Sequence, residues 1–187
     1  MEKIFISFCR AGENVVEKII KESIKSEFIH VEIIAGNFVY DYSEQHEKNG
    51  KKRWILGTRL KSESYRNNIN EIFEINIPEG SFQKIFKYIE EYYVKHDYDK
   101  NMKFFRIGDF GMGNKDFLKG APSVRTTICS HFCFEVIKFI VKNYYRRNAQ
   151  LNYKVDYIYR HYVEKLEYIT PGHLYEFFSR ERELFLD

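Results

Sequence analysis

No stretch of the chain approaches the roughly 20 consecutive apolar residues that a membrane-crossing helix needs. Cysteine is scarce as well. Three thiols in 187 residues cannot all pair internally, and a small secreted scaffold would carry more. The opening MEKIFISFCRAGENV holds an apolar run of only five residues, shorter than a signal-peptide core. These absences imply an intracellular, cytoplasmic protein with reduced thiols and no transmembrane segment.

Charge of one sign is also lacking. A net charge of +3 is too small to argue for nucleic acid, and KKR (51–53) and YYRR (144–147) are isolated clusters with no basic, aromatic-laced face. Metal and nucleotide signatures are missing too. DYDKN (97–101) begins like a calcium loop, but Met102 replaces the glycine and no Glu stands at the twelfth position. GDFGMGNKDF has no Lys-Ser/Thr after its glycines, so it is not a P-loop. The three Cys and six His show no zinc spacing. Neither a metal nor a cofactor is expected.

What the chain does have is aromatic side chains, 18% of residues, most of them Phe and Tyr. With abundant Lys, Asn and Ile they are encoded by AT-rich codons, which reads first as genome composition, as in many viruses, and second as surface for self-association. No repeat and no Pro/Gly/Ser-rich linker interrupts the sequence, so residues 1–187 are expected to form one domain, with 144–187 a helical C-terminal extension packed on it.

Apolar periodicity predicts strands at 3–8, 27–34, 37–43, 52–59 and 71–77. The second and third flank Ala35-Gly36-Asn37, a tight hairpin turn. Helix spacing runs through 12–24 (Val15, Val16, Ile19, Ile20 on one face), 81–96, 127–143, 149–166 and 170–180, where Thr170 caps and Pro171 fits the first turn. The order implies an α+β fold, a mostly antiparallel sheet packed by helices. Irregular segments at 44–51, 60–70 and 97–125 would build any pocket.

Three residues carry potential chemistry. Cys129 stands where the long loop gives way to the helix CFEVIKFIV, and a helix N-terminus favours the thiolate. Cys133, one turn inside, and Cys9, just after the first strand, read as packing residues. His30, in the middle of the apolar strand FIHVEII, needs a polar partner if buried. Asp41 lies across the hairpin, either directly opposite His30 or opposite Glu32 and diagonal to His30. A thiol next to an imidazole that a third polar group orients is the set needed for acyl transfer. His131, on another side of its helix, reads as structural or surface.

The order SEFIHVEIIAGNFVYD, then HDYDKNMKFFRIGDFGMG, then TTICSHFCFEVI resembles the circularly permuted NlpC-type cysteine hydrolases, a papain-like superfamily. The CSHF segment is similar to the C-E-H-F of the lecithin retinol acyltransferase branch, and ITPGHLYEFF to the closing segment of several members. The resemblance implies a permuted papain-like fold, with Cys129 as nucleophile, His30 as general base and Asp41 as orienting residue. It also implies an oxyanion hole that includes the Cys129 N–H. Two features depart from the pattern: Glu32 replaces a small residue, and the His-to-Asp interval is one shorter, so Glu32 or Tyr40 stands as an alternative third member.

The resemblance implies a thiol hydrolase or acyltransferase (peptidase, amidase or lipid acyl hydrolase) acting on a peptide, isopeptide or lipid-ester substrate. The alternative is the same fold without catalysis, a binding or self-assembling structural protein.

Overall fold

The computed structural model describes residues 1–13, 15–46, 52–60, 70–98, 125–127, 129–163 and 169–186. Most of the expected pocket-forming segments, including 99–124, lie outside the described residues.

Strand β1 (Glu2–Arg10) alternates: Ile4, Ile6 and Phe8 are fully buried in the main core, and Ser7 and Cys9 point to the opposite face. It pairs on one side with β2 (Phe28–Ala35) and on the other with β5 (Asn70–Ile77). β3 (Phe38–His46) and β4 (Lys52–Leu60) extend the sheet beyond β2, giving the order β4-β3-β2-β1-β5 with every neighbour antiparallel. Two short strands, β6 (His96–Tyr98) and β7 (Arg125–Thr127), form a separate parallel pair. The chain is therefore α+β, with a mostly antiparallel sheet packed by helices.

The β2–β3 hairpin turns on Gly36-Asn37. Gly36 takes a φ of 59°, and Asn37 is not among the positive-φ residues, the pattern of a type II′ turn. Such a two-residue turn fixes the register as Ala35↔Phe38, Ile34↔Val39 and Ile33↔Tyr40.

Helix α1 (Val15–Ile24) packs on β2. Val15, expected on its apolar face, is the first residue of the helix and is instead 72% exposed. The helix closes with Lys25 at φ 50° and a bond from the Ser26 N–H to the Lys21 carbonyl, a Schellman-type stop.

Helix α2 (Phe82–Lys95) buries Ile85, Ile89 and Tyr92. Helix α3 (Cys129–Tyr144) lies against β2 and β3 and has no exposure at Phe132, Cys133, Val136, Ile137, Ile140 or Val141. Burying each large apolar side chain contributes roughly 1.5–3 kcal/mol.

The C-terminal elements share that core. Helix α4 (Ala149–Ile158) is capped by Asn148, then winds into a π-helical turn, Tyr159–Val163, where a continuous α-helix to 166 was expected. Residues 164–168 are outside the described set. Helix α5 (Pro171–Glu181) opens on a reciprocal capping box: the His173 N–H donates to Thr170 Oγ1 at 3.2 Å, and the Thr170 N–H donates to His173 Nδ1 at 3.3 Å. A 3₁₀ turn, Arg182–Phe185, ends the fold.

Phe8 meets the rings of Phe28, Phe73, Tyr175 and Phe178 at centroid separations of 5.6–6.0 Å, which fixes α5 on the sheet. Tail aromatics Phe178 and Phe185 are thus core residues, whereas Tyr153 and Tyr157 are exposed. Among the described residues no helix is long and apolar enough to cross a membrane.

Candidate active site

Extending the hairpin register by one pair puts Asp41 opposite Glu32 and diagonal to His30. Of the two registers the sequence allows, the turn selects this one. The diagonal is short enough for a direct contact: His30 Nε2 lies 3.1 Å from Asp41 Oδ2. The Asp41 side chain is 1% exposed and the His30 side chain 21%, so the carboxylate sits below an imidazole that solvent still reaches.

Cys129, the first residue of α3, is close enough to the same imidazole to influence its charge. Two anchors beside it set the start of the helix. The Ser130 hydroxyl donates to the Ile169 carbonyl. One turn on, the Cys133 thiol donates to the Val31 carbonyl at 3.6 Å. The β2–β3 ladder is registered only over Ile33–Ala35, and the Val31 carbonyl beyond it takes this bond from α3.

Cys129, His30 and Asp41 are therefore brought together from a helix start and two strands, although 88 residues separate Asp41 from Cys129 in the sequence. Neither alternative third residue makes that contact to His30 Nε2. Tyr40 is a core residue, its ring 5.5 Å from that of Phe86. Glu32 is buried beside the pair, with its carboxylate engaged by the Ser7 hydroxyl at 3.3 Å and the Cys9 thiol at 3.9 Å. His131 faces Glu135 one turn along α3, at 3.7 Å, and is not part of the cluster.

The electrostatics separate the thiols. Burial, the largest influence on His30, disfavours its charged form. The Coulombic influence of Cys129 and the hydrogen bond to Asp41 outweigh that penalty, and the imidazole pKa is raised from 6.5 to about 10. The direction of the shift favours the protonated ring. The Cys133 thiol is pushed well up, first by burial and then by the charges of Cys129, Glu32 and Asp41, so it stays protonated and inert.

Ligand atoms of His30, Glu32 and Asp41 converge within 4.8 Å, a spacing that a metal could exploit. The ring nitrogen Nε2 is taken up by the contact to Asp41 at 3.1 Å. We read the group as an imidazole paired with the buried Asp41 carboxylate, with Glu32 close by.

The sequence did not disclose the polar floor of this site. Asn70 on β5 donates to the Ser7 hydroxyl at 3.2 Å, Ser7 donates to Glu32, and Glu32 lies opposite Asp41. Strand alternation places Ser7 and Glu32 on faces that can be read from sequence. Their meeting depends on strand order, which cannot. No protein-family model matches the chain, and no curated protein matches it.

Proposed function

We propose that the protein is a thiol-dependent hydrolase or acyltransferase that works through an acyl-enzyme on Cys129, on a permuted papain-like domain. The observation that carries this reading is the imidazole of His30 held between a buried carboxylate, 3.1 Å from Nε2, and the thiol at the start of α3. Asp41 occupies Nε2, which leaves Nδ1 to exchange a proton with sulfur.

In the first half-reaction the Cys129 thiolate attacks the carbonyl carbon of an amide or ester. The electron pair moves to the carbonyl oxygen, where the N–H groups at the helix start can stabilise it. Collapse expels the amine or alcohol, which takes its proton from the His30 imidazolium. In the second half-reaction neutral His30 removes a proton from water or another nucleophile, which attacks the thioester. The thiolate leaves and the imidazolium is restored. Asp41 holds the ring in place throughout and balances its charge. An intracellular peptide, isopeptide or lipid ester is the substrate class that this chemistry suits.

The test is acylation. Wild type and Cys129→Ala are incubated with activated acyl esters and amides, and adducts are located by peptide mass spectrometry. An adduct on Cys129 in wild type, absent from Cys129→Ala, is the expected result. No adduct on Cys129 across the panel would refute the reading. An inert thiol together with multimeric elution in size-exclusion chromatography would instead favour a self-assembling structural protein.

A further inference from the structure

The site contains one more buried carboxylate than the proposed reaction uses. Glu32 is 1% exposed, yet its side chain points into the sheet face shared by Ser7, Cys9, His30 and Asp41. It is braced along a line of polar groups crossing the sheet: Asn70 to Ser7 at 3.2 Å, then Ser7 to Glu32 at 3.3 Å. The Cys9 thiol, directly opposite His30 on β1, approaches the same Glu32 oxygen at 3.9 Å. This line ends at Asp41 and His30, whose ligand atoms lie within 4.8 Å of that of Glu32.

A buried carboxylate costs free energy unless hydrogen bonds or an opposite charge compensate it. Ser7 and Cys9 supply hydrogen bonds, and His30, within 4.8 Å, is placed to supply the charge. We infer that Glu32 is a positioning residue of the Cys129–His30–Asp41 site, a second buried carboxylate whose charge helps retain the proton on His30. The inference rests on the proposed function for its significance, but its physical content is independent of any substrate.

The titratable groups facing His30 among the described residues are Cys9 on β1, Glu32 on its own strand, Asp41 on β3, and Cys129 and Cys133 on α3. Of these, only Glu32 and Asp41 are carboxylates. Removing one negative charge about 5 Å from the ring in a poorly solvated site should lower the His30 midpoint by about one unit or more.

The measurement is a pH titration of the His30 ring by NMR in wild type, Glu32→Gln and Glu32→Asp. Glu32→Gln keeps the size of the side chain and its acceptor oxygen but loses the charge. Its midpoint is expected to fall by about one unit or more, with Glu32→Asp staying nearer to wild type. A folded Glu32→Gln with an unchanged midpoint would overturn the inference, as a merely structural residue would not move it.

If circular dichroism shows Glu32→Gln unfolded, Ser7→Ala takes its place. Loss of the anchoring hydroxyl lets the carboxylate swing away from the ring, and an unchanged midpoint there overturns the inference equally. Iodoacetamide labelling of wild-type Cys129 separates the two proposals. An inert Cys129 with a midpoint that moves in Glu32→Gln sinks the thiol chemistry and keeps the role of Glu32. A reactive Cys129 with an unmoved midpoint does the reverse.

Discussion

Replacing Cys129 with alanine should discharge the neighbour that most strongly holds the proton on His30. The wild-type imidazole is raised from 6.5 to about 10, against the opposing effect of burial, with the Cys129 charge the foremost raising influence and Asp41 next. Opposite unit charges about 4 Å apart attract by about 4 kcal/mol at an effective dielectric near 20. At about 1.4 kcal/mol per pH unit, loss of that partner should bring the His30 midpoint down by roughly three units.

The sign follows from linkage. A proton bound more tightly in the folded state stabilises it fully below pH 6.5, and that contribution fades as the pH rises to about 10. Its ceiling, for the whole shift, is about 5 kcal/mol. Cys129→Ala should therefore lose less stability than wild type between pH 7 and 9.5, with the loss beginning near pH 6.5 in both proteins and finishing at lower pH in the variant. NMR titration of the ring, with urea unfolding at both pH values, measures the two effects. A Cys129→Ala protein whose His30 midpoint stays within about half a unit of wild type would refute the ion-pair account.

Thiol labelling gives a second check. Iodoacetamide at pH 6 is expected to modify Cys129 at least tenfold faster than Cys133, whose thiol is fully buried and held protonated; equal rates by peptide mapping would remove the basis for a nucleophile. A third concerns the mounting of α5 rather than the chemistry. A Cβ at Gly172 would lie 2.6 Å from Ser26 Oγ and 2.9 Å from Ser26 Cβ, and that hydroxyl is committed to Phe28 backbone at 3.0 Å. Gly172→Ala should accordingly cost about 1–3 kcal/mol in urea unfolding. An unchanged midpoint would show that the contact relaxes freely.

How much of the site could be read in the sequence depends on the distance over which each contact is determined. The His30–Asp41 contact is local. Strand alternation leaves Asp41 only two positions to occupy, and a two-residue turn at Gly36-Asn37 selects between them by fixing the pairing of β2 with β3. Cys129 stands 99 residues after His30, and periodicity shows only that it begins a helix, so its meeting with the imidazole came from the family resemblance.

The floor of the site was illegible for a different reason. Ser7 meets Asn70 because β1, first in the chain, lies between β2 and β5 in the sheet. Hydrophobic alternation assigns faces to strands and says nothing about which strands are neighbours. Read along the chain, Glu32 is a departure from the expected small residue. Read across the sheet it ends a line of hydrogen bonds running from Asn70 through Ser7. A buried acid next to a buried acid needs a cation beside it or a proton shared between the two. His30, paired with Asp41 and with Glu32 within 4.8 Å, stands where its charge would serve both carboxylates.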